Sequence, residues 1–226
     1  MDERDQRRKE ENLAKWIPKT QLGKDVMAGK VKKIEDILDK NLKIFEPEIV
    51  DFILPELELD VIKIGQAKGK FGGGKRRPWR QTQKKTSEGN VPTFGCLTIV
   101  GDKQGHIGTG YGRARETVPA KQKAIRLAKL NIFSINRGCG SFNCTCNEPH
   151  SIPLKVEGKV GSVRIVLMPA PKGTGLVADE ECKKVLRLAG IKDVYTKSYG
   201  NTKTKINMIK ACIVALKNLS KYVKNE

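Results

Sequence analysis

The sequence predicts an α+β fold, with two consecutive units of mixed strands and helices behind a helical N-terminal extension. A strand, a hairpin and a helix follow one another over residues 59–135, and strands and helices mix again over 151–226. The hydrophobic share of 38% is enough for packed cores, and the aromatic share of 5% makes those cores mainly aliphatic. We therefore expect an extension over 1–58, a first unit, a linker over 136–150 and a second unit.

The extension begins with a polar stretch, residues 1–24, which has no clear period and should order only against a partner. Apolar side chains at helical spacing predict a short helix over about 29–41. A second helix is predicted over 46–54, because Pro47 suits a first helical turn and acidic residues surround it. Alternating apolar and polar residues over 59–65 indicate the first strand.

The first unit continues after a glycine-rich segment, 69–74, which cannot hold regular structure. An apolar strand over 94–100, a turn over 101–105 and a return strand over 106–112 predict a hairpin. Apolar positions after Pro119 then repeat at helical spacing and predict an amphipathic helix to about residue 131.

The second unit is predicted from the same two periodicities. A tight turn at Gly158 should join its first two strands, and Gly190 should end its first helix. The predicted elements are strands over 151–156, 162–167 and 194–198, and helices over 177–188 and 206–219.

The charge of the chain points to a polyanionic partner. Lys and Arg number 44 against 25 Asp and Glu, which gives a net charge of +19. Residues 1–60 hold 12 basic and 15 acidic side chains, so the positive excess lies beyond them. An ordinary soluble enzyme rarely tolerates such self-repulsion without a polyanion. No apolar run approaches the ~20 residues of a membrane span, and the N-terminus is no signal peptide, so we expect a cytoplasmic chain with no membrane partner.

One segment concentrates this charge, because residues 63–85 contain no acid. Its Arg side chains alternate with an aromatic ring among glycines, which is typical of RNA-binding loops: guanidinium groups match phosphates, and both Arg and Trp stack on unpaired bases. A solvated face is the alternative, and Trp79 could instead be buried. The candidate RNA-binding residues here are Lys68, Lys70, Lys75, Arg76, Arg77, Trp79, Arg80, Lys84 and Lys85.

The second unit offers further phosphate-binding candidates. Lys172 lies in a Pro/Gly loop, 168–175, which should open onto a helix whose N–H groups favour phosphate. Lys203 and Lys205 precede the last helix. The same loop leaves a nucleotide-dependent kinase as an alternative function. Three nearby acids better suit the start of a helix than metal binding: Asp179, Glu180 and Glu181.

Glycines alternate along the return strand at Gly108, Gly110 and Gly112, with the spacing of a partial nucleotide fingerprint. A fingerprint requires a helix immediately after the glycines. Close backbone packing is therefore the better interpretation. His106, at the turn before them, has no evident partner in the sequence.

Three cysteines and one of the two histidines fall within twelve residues of the linker: Cys139, Cys144, Cys146 and His150. Tetrahedral Zn²⁺ accepts three thiolates and one imidazole, so we expect a zinc site. Unconnected surface thiols and a simply hydrogen-bonded histidine are the alternatives. The other cysteines, Cys96, Cys182 and Cys212, lie in apolar settings and should be core residues.

The stretch over 89–130, with its glycine-bounded strands and the following PAKQKAIRLAKLNI helix, closely resembles the small-subunit ribosomal protein S5 family. The acidic extension resembles that of the archaeal and eukaryotic branch. Further matching segments are 137–138, 149–153, 161–163, 168–176 and 189–193.

This resemblance implies a first domain with a double-stranded-RNA-binding-like fold and a second that is a two-layer α/β sandwich. It implies a non-enzymatic protein of the small ribosomal subunit that binds rRNA and supports decoding accuracy. Together with two neighbouring ribosomal proteins, it would line the channel by which mRNA enters. By the family pattern, Arg113, Arg115 and Lys121 face that mRNA. A kinase-like enzyme and a free zinc-dependent RNA-binding regulator remain the alternatives.

Overall fold

The computed structural model describes residues 16–66, 76–146 and 148–223, and these residues form two sheets with helices packed on them. The predicted α+β architecture is confirmed. Within these ranges, no helix has both the length and the apolar character that a membrane span requires.

The described part of the extension, residues 16–58, contains three short helices: α1 (Gln21–Met27), α2 (Ile34–Asp39) and α3 (Pro47–Ile53). The carboxylate of Glu46 ties the segment before α1 to the start of α3. It accepts hydrogen bonds from the indole N–H of Trp16 (2.9 Å) and from the backbone N–H of Thr20 (2.7 Å). The buried side chains of the three helices pack against Val100 and Ile132, so the extension forms a small core with the first unit.

The expectation that residues 1–24 order only against a partner is wrong for 16–24. These residues begin α1, where the hydroxyl of Thr20 accepts a hydrogen bond from the backbone N–H of Gly23 (3.1 Å) and caps the helix. Only two apolar residues, Leu22 and Val26, mark the buried side of α1. Two positions are too few to show a period. Residues 1–15 lie outside the described part of the chain.

The first sheet contains β1 (Glu58–Ile62), β2 (Arg80–Thr86), β3 (Gly89–Gly101), β4 (His106–Ala114) and β5 (Ile132–Ser134). Strand β3 is central, because β1 and β2 pair with successive halves of one of its edges and β4 pairs with the other, all antiparallel. Helix α4 (Thr117–Leu130) covers one face. The predicted hairpin and helix are confirmed, whereas β2 and β5 were not predicted.

The alternating glycines of β4 allow α4 to lie directly on the sheet. A Cβ added at Gly110 would lie 2.1 Å from the carbonyl oxygen of Ala124, and one at Gly112 would lie 2.3 Å from that of Ala120. Gly108 meets the next turn of the helix in the same way. Close backbone packing, and not a nucleotide fingerprint, therefore accounts for this run.

The second sheet contains β6 (Val156–Val160), β7 (Val163–Pro169), β8 (Leu176–Val177) and β9 (Val194–Tyr199), in the order β6-β7-β9-β8. Only the β8–β9 pair is parallel among these. Helices α5 (Glu180–Leu188) and α6 (Lys205–Val223) supply the apolar side chains that fill the core of this unit.

The prediction of a strand over 151–156 and of a turn at Gly158 is wrong. Strand β6 starts at Val156, and Gly158 lies inside it. The turn is at Gly161, which has a φ of 60°. A Cβ at Gly158 would lie 2.1 Å from the carbonyl oxygen of Ala211, so this glycine is needed for the approach of α6.

The two units share one hydrophobic core. Leu97, Ile99 and Ile107 of the first sheet belong to the same buried cluster as the side chains of α5 and α6. The backbones also touch, since Lys103 N–H donates to the carbonyl of Leu188 (3.0 Å). The buried carboxylate of Glu181 accepts from the backbone N–H of Lys63 (3.1 Å). These contacts fix the two sheets relative to each other.

Gly110→Ala should destabilise the protein, because its new methyl group would collide with the backbone of α4. Overpacking of this kind costs about 1–3 kcal/mol, so the urea midpoint of unfolding should fall. Gly138→Ala is the matched control, since its nearest neighbour is the Cβ of Pro153 at an ordinary 3.4 Å. Equal midpoints for the two variants would contradict the packing described.

Candidate nucleic-acid interface and metal centre

An exposed basic surface lies on β2, β3 and β4, on the face of the first sheet opposite α4. The register pairs Arg80 with Gly95 and Gly95 with Arg113, so both guanidinium groups stand on the same face, and Lys84 follows on β2. Arg80, Lys84 and Arg113 are exposed. We call these three residues the β2–β4 basic surface.

The guanidinium of Arg113 is held in place by two threonine hydroxyls. It donates to Thr93 (2.8 Å) and to Thr82 (3.2 Å), which are cross-strand partners. These bonds use only part of its donor set of five N–H groups. The remaining donors face solvent on a fixed group, which suits contact with a phosphate.

Tyr111 lies in the middle of this surface and was missed in the sequence. Its ring lies over Gly95, where an added Cβ would come within 2.3 Å of the Tyr111 hydroxyl. Tyr111 remains 39% exposed. The signal was available in the sequence, because Tyr111 precedes Arg113 by two residues on one strand and so shares its face.

The other candidates of the first unit are more dispersed. Lys85 projects from the opposite face of β2, Arg115 is exposed just beyond β4, and Lys121 is half-buried on α4. Arg76 is half-buried and donates to the carbonyl of Gly65 (3.4 Å), whereas Arg77 is exposed. Three candidates fall outside the described residues: Lys68, Lys70 and Lys75.

Trp79 is half-buried and packs against the small cluster of Cys96, Ala120 and Ala124. Part of its ring therefore serves the contact between the sheet and α4. This packing favours the buried alternative for that part of the indole, and only the remainder is open to a base.

The candidates of the second unit are largely engaged in ion pairs. Lys172 contacts Glu148 (2.8 Å), Lys205 contacts Asp179 (2.5 Å), and Lys203 is exposed. The loop after β7 leads into β8 and not directly into a helix, contrary to the prediction. The N-terminus of α5 is capped by Asp179, whose carboxylate accepts from the N–H of Glu181 (3.3 Å), so it offers no open phosphate site.

The linker brings its four candidate metal ligands together. The ligand atoms of Cys139, Cys144, Cys146 and His150 all lie within 4.8 Å of one another. The Sγ of Cys146 lies 3.7 Å from that of Cys139, and the Sγ of Cys144 lies 3.7 Å from Nε2 of His150. The four residues thus form a cluster that could hold a metal ion.

His150 is oriented for this role by a buried carboxylate. Its Nδ1 bonds to Oδ2 of Asp193 (2.8 Å), and both side chains are almost fully buried. A metal-binding histidine usually makes this bond with the nitrogen that does not bind the metal. The second oxygen of Asp193 accepts from the backbone N–H of Gly175 (2.7 Å), so the cluster is tied to the loop before β8.

The two closest thiols have opposite pKa shifts. Their sulfur atoms are 2.8 Å apart, and the hydrogen bond from Cys146 lowers the pKa of Cys144 to about 6. A backbone N–H from Lys172 contributes to this shift. The same thiol–thiol bond raises the pKa of Cys146 to about 11. A thiolate at Cys144 is the form that binds a metal.

The remaining predictions for cysteines and histidines have clear outcomes. Cys96, Cys182 and Cys212 are buried, as expected. Burial raises the pKa of Cys96 to about 11. The expectation that His106 lacks a partner is wrong, because its Nδ1 lies 2.5 Å from a carboxylate oxygen of Asp102. That pair orders the turn between β3 and β4.

Comparisons with known proteins agree with this architecture. The family model described as Ribosomal protein S5, N-terminal domain, matches residues 79–136, and that of the Ribosomal protein S5 C-terminal domain matches 158–225. Relatives named Small ribosomal subunit protein uS5 include those of Nanoarchaeum equitans (53% identical, covering 92% of this chain and 90% of the relative) and Staphylothermus marinus (47%, covering 94% and 92%). The relative from Saccharolobus solfataricus is 43% identical, and the match covers 94% of this chain and 92% of the relative. The chain belongs to the ribosomal protein S5 family.

Proposed function

We propose that this protein is a structural component of the small ribosomal subunit in the cytoplasm, where it binds rRNA and neighbouring ribosomal proteins and catalyses no reaction. Membership of the S5 family supports the assembly, and the relatives carry the name of a small-subunit protein. The observation that carries the RNA contact is the β2–β4 basic surface, with Arg113 fixed by Thr82 and Thr93.

The chemistry of this surface suits a duplex backbone. Guanidinium groups pair with phosphates bidentately. Arg80 and Arg113 stand on either side of Gly95, whose missing side chain leaves room for the Tyr111 ring between them. A folded RNA is recognised chiefly by its shape and its phosphates. The surface would therefore neutralise phosphate charges at defined positions and would not recognise the base sequence of the RNA.

The family resemblance supports a finer role at the path of mRNA. In this proposal Arg115 and Lys121 face the channel by which mRNA enters, and through it the protein supports decoding accuracy. Arg113, the third residue of the family pattern, lies on the β2–β4 basic surface, on the sheet face opposite α4, and contacts rRNA. The charge of exposed Arg115 would attract the backbone of a passing strand, whereas half-buried Lys121 would contribute more weakly.

A kinase-like enzyme is disfavoured by the partners of the nearby acids. Asp179 caps α5 and pairs with Lys205, and buried Glu181 accepts from the backbone N–H of Lys63. Both carboxylates are therefore engaged in holding the fold. A kinase needs such groups to bind the metal that accompanies a nucleotide.

Sedimentation of a cell lysate through a sucrose gradient tests the ribosomal assignment. The protein should sediment with the small subunit in a one-to-one ratio with other subunit proteins, measured by quantitative mass spectrometry. A free regulator would remain at the top of the gradient, and exclusive recovery there would refute the assignment.

The linker cluster is proposed to hold Zn²⁺. Zinc–sulfur bonds of about 2.3 Å in a tetrahedron separate the ligand atoms by roughly 3.5–4 Å. Two of the observed separations, each 3.7 Å, match this spacing. The 2.8 Å between Cys144 and Cys146 is shorter, so these two thiols would move apart on binding. The ion would hold the linker between the two units in one conformation, a structural and not a catalytic role.

One Zn²⁺ per chain should therefore co-purify with protein that has never met a chelator. Cys144→Ser should lose it, and Asp193→Asn should weaken the metal affinity by about 10–100-fold, because His150 loses its orienting carboxylate. Elemental analysis and competition with a chromogenic chelator measure both. Cys96→Ser, outside the cluster, is the control and should keep its zinc. A metal-free wild-type chain would refute the site.

The β2–β4 basic surface predicts a change in salt dependence. Each phosphate contact contributes roughly 0.7–0.9 to the slope of log affinity against log salt. Replacing Arg80, Lys84 and Arg113 together by Ala should therefore flatten that slope by about 2–3 on a duplex fragment of small-subunit rRNA.

The matched control for this variant removes three exposed lysines of the extension, Lys24, Lys32 and Lys40, and so makes the same change in net charge. Filter binding over a series of salt concentrations measures both variants. Equal slopes in the two would show that net charge alone acts, and that the RNA surface lies elsewhere.

A further inference from the structure

The sheet of the second unit carries a row of exposed side chains on the face away from α6. The helix lies against the other face, where Gly158 meets the backbone of Ala211. On the outer face, β9 presents Tyr195, Lys197 and Tyr199 at alternate positions, and all three are exposed. The two rings are 39% and 46% exposed, and neither is needed to fill the core.

The neighbouring strands add positive charge to this row. The register places Arg164 of β7 beside Tyr199, and Lys159 of β6 beside Arg164. The guanidinium of Arg164 lies 4.7 Å from the centroid of the Tyr199 ring, so this ring already accepts a flat, cationic group on its face. Glu157 is the acidic residue of the patch, and it pairs with Arg164 (3.5 Å).

Along β9, a basic side chain lies between two aromatic rings, and this order suits the binding of single-stranded nucleic acid. Alternate residues of a strand lie roughly 6.5 Å apart, so Tyr195 and Tyr199, which are four residues apart, are separated by roughly 13 Å. Each ring can accept a separate base, Tyr199 on the face that Arg164 does not cover, while Lys197 meets a phosphate between them. Sheets that display aromatic rings beside basic groups bind single-stranded RNA in this manner. A duplex cannot use the rings, because its bases are stacked inside it.

We propose that this outer face, formed by Tyr195, Lys197 and Tyr199 with Lys159 and Arg164, binds a single-stranded segment of RNA by base stacking. This site goes beyond the proposed function, because it gives the second unit its own ligand, distinct from the duplex backbone assigned to the β2–β4 basic surface. Charge favours RNA over a protein partner here, because three basic side chains, Lys159, Arg164 and Lys197, stand against the single acid Glu157, and lysines are depleted from the centre of protein interfaces.

The test uses the full chain and a fluorescein-labelled uridine dodecamer, with affinity measured by fluorescence anisotropy. Loss of one stacked base weakens binding by about 5- to 150-fold. The variant with Tyr195→Ala and Tyr199→Ala loses both rings and should therefore bind the dodecamer at least about 25-fold more weakly, with an unchanged salt slope. Tyr195→Phe with Tyr199→Phe should keep wild-type affinity, since the rings remain. Phe45→Ala, an exposed aromatic of the extension, is the matched control and should change nothing.

Two further measurements separate this site from the first one. Affinity for duplex rRNA should be unchanged in the tyrosine variants. When Tyr195→Ala and Tyr199→Ala are added to the variant that lacks Arg80, Lys84 and Arg113, affinity for the dodecamer should still fall. Lys159→Gln with Lys197→Gln is a second variant that keeps both rings. It should flatten the salt slope for the dodecamer by about 1.4 if both lysines meet phosphates.

An unchanged affinity in the alanine variant, with its circular dichroism intact, would overturn the proposal. Equal losses in the phenylalanine and alanine variants would overturn the stacking, because only the hydroxyl groups would then matter. If the alanine variant fails to fold, the variant with Lys159→Gln and Lys197→Gln decides instead. An unchanged salt slope in that variant would overturn the proposal.

Discussion

The packing of β3 against α5 is the constraint on which the rest of the structure depends. At its far end β3 buries Leu97 and Ile99 in the core of the second unit, and at Gly101 its backbone meets the carbonyl of Leu188. At its near end the same strand carries Thr93 and Gly95, the floor of the β2–β4 basic surface. One continuous strand therefore sets the position of the β2–β4 basic surface relative to the second sheet, without a flexible joint between them.

Much of this fold could be predicted from the sequence, wherever a segment buries one side and exposes the other. Helix α4, the β3–β4 hairpin and α6 follow their apolar periods, and the glycines of β4 were correctly assigned to close packing. Strand β2 could not be found this way, because its sequence RQTQKKT has no apolar alternation. It is held by its pairing with β3 and not by a buried face.

Other errors arose where one residue type serves two physical purposes. Gly158 was assigned to a turn, but its missing side chain makes room for α6, and the sequence does not say which purpose applies. The four residues of the linker cluster were identified from their residue types within one short stretch of sequence, and the structure brings them together. Their orienting partner, Asp193, was out of reach of sequence reasoning, because a distant acid gives no local signal. Tyr111 was missed for a different reason, since the candidates on this strand were chosen by charge and the aromatic residue two positions before Arg113 carries none.

The bond between His150 and Asp193 has a consequence for the order in which the protein is completed. The three cysteines and the histidine are synthesised before Asp193, which follows His150 by 43 residues. Asp193 reaches its place only when β9 has paired with β7 and β8. Since chains fold from the N-terminus as they are made, the ligands are present before the group that orients them. A fully ordered cluster therefore indicates that the second unit has closed, and a chain stopped before β9 would carry the four candidate ligands without the carboxylate that orients His150.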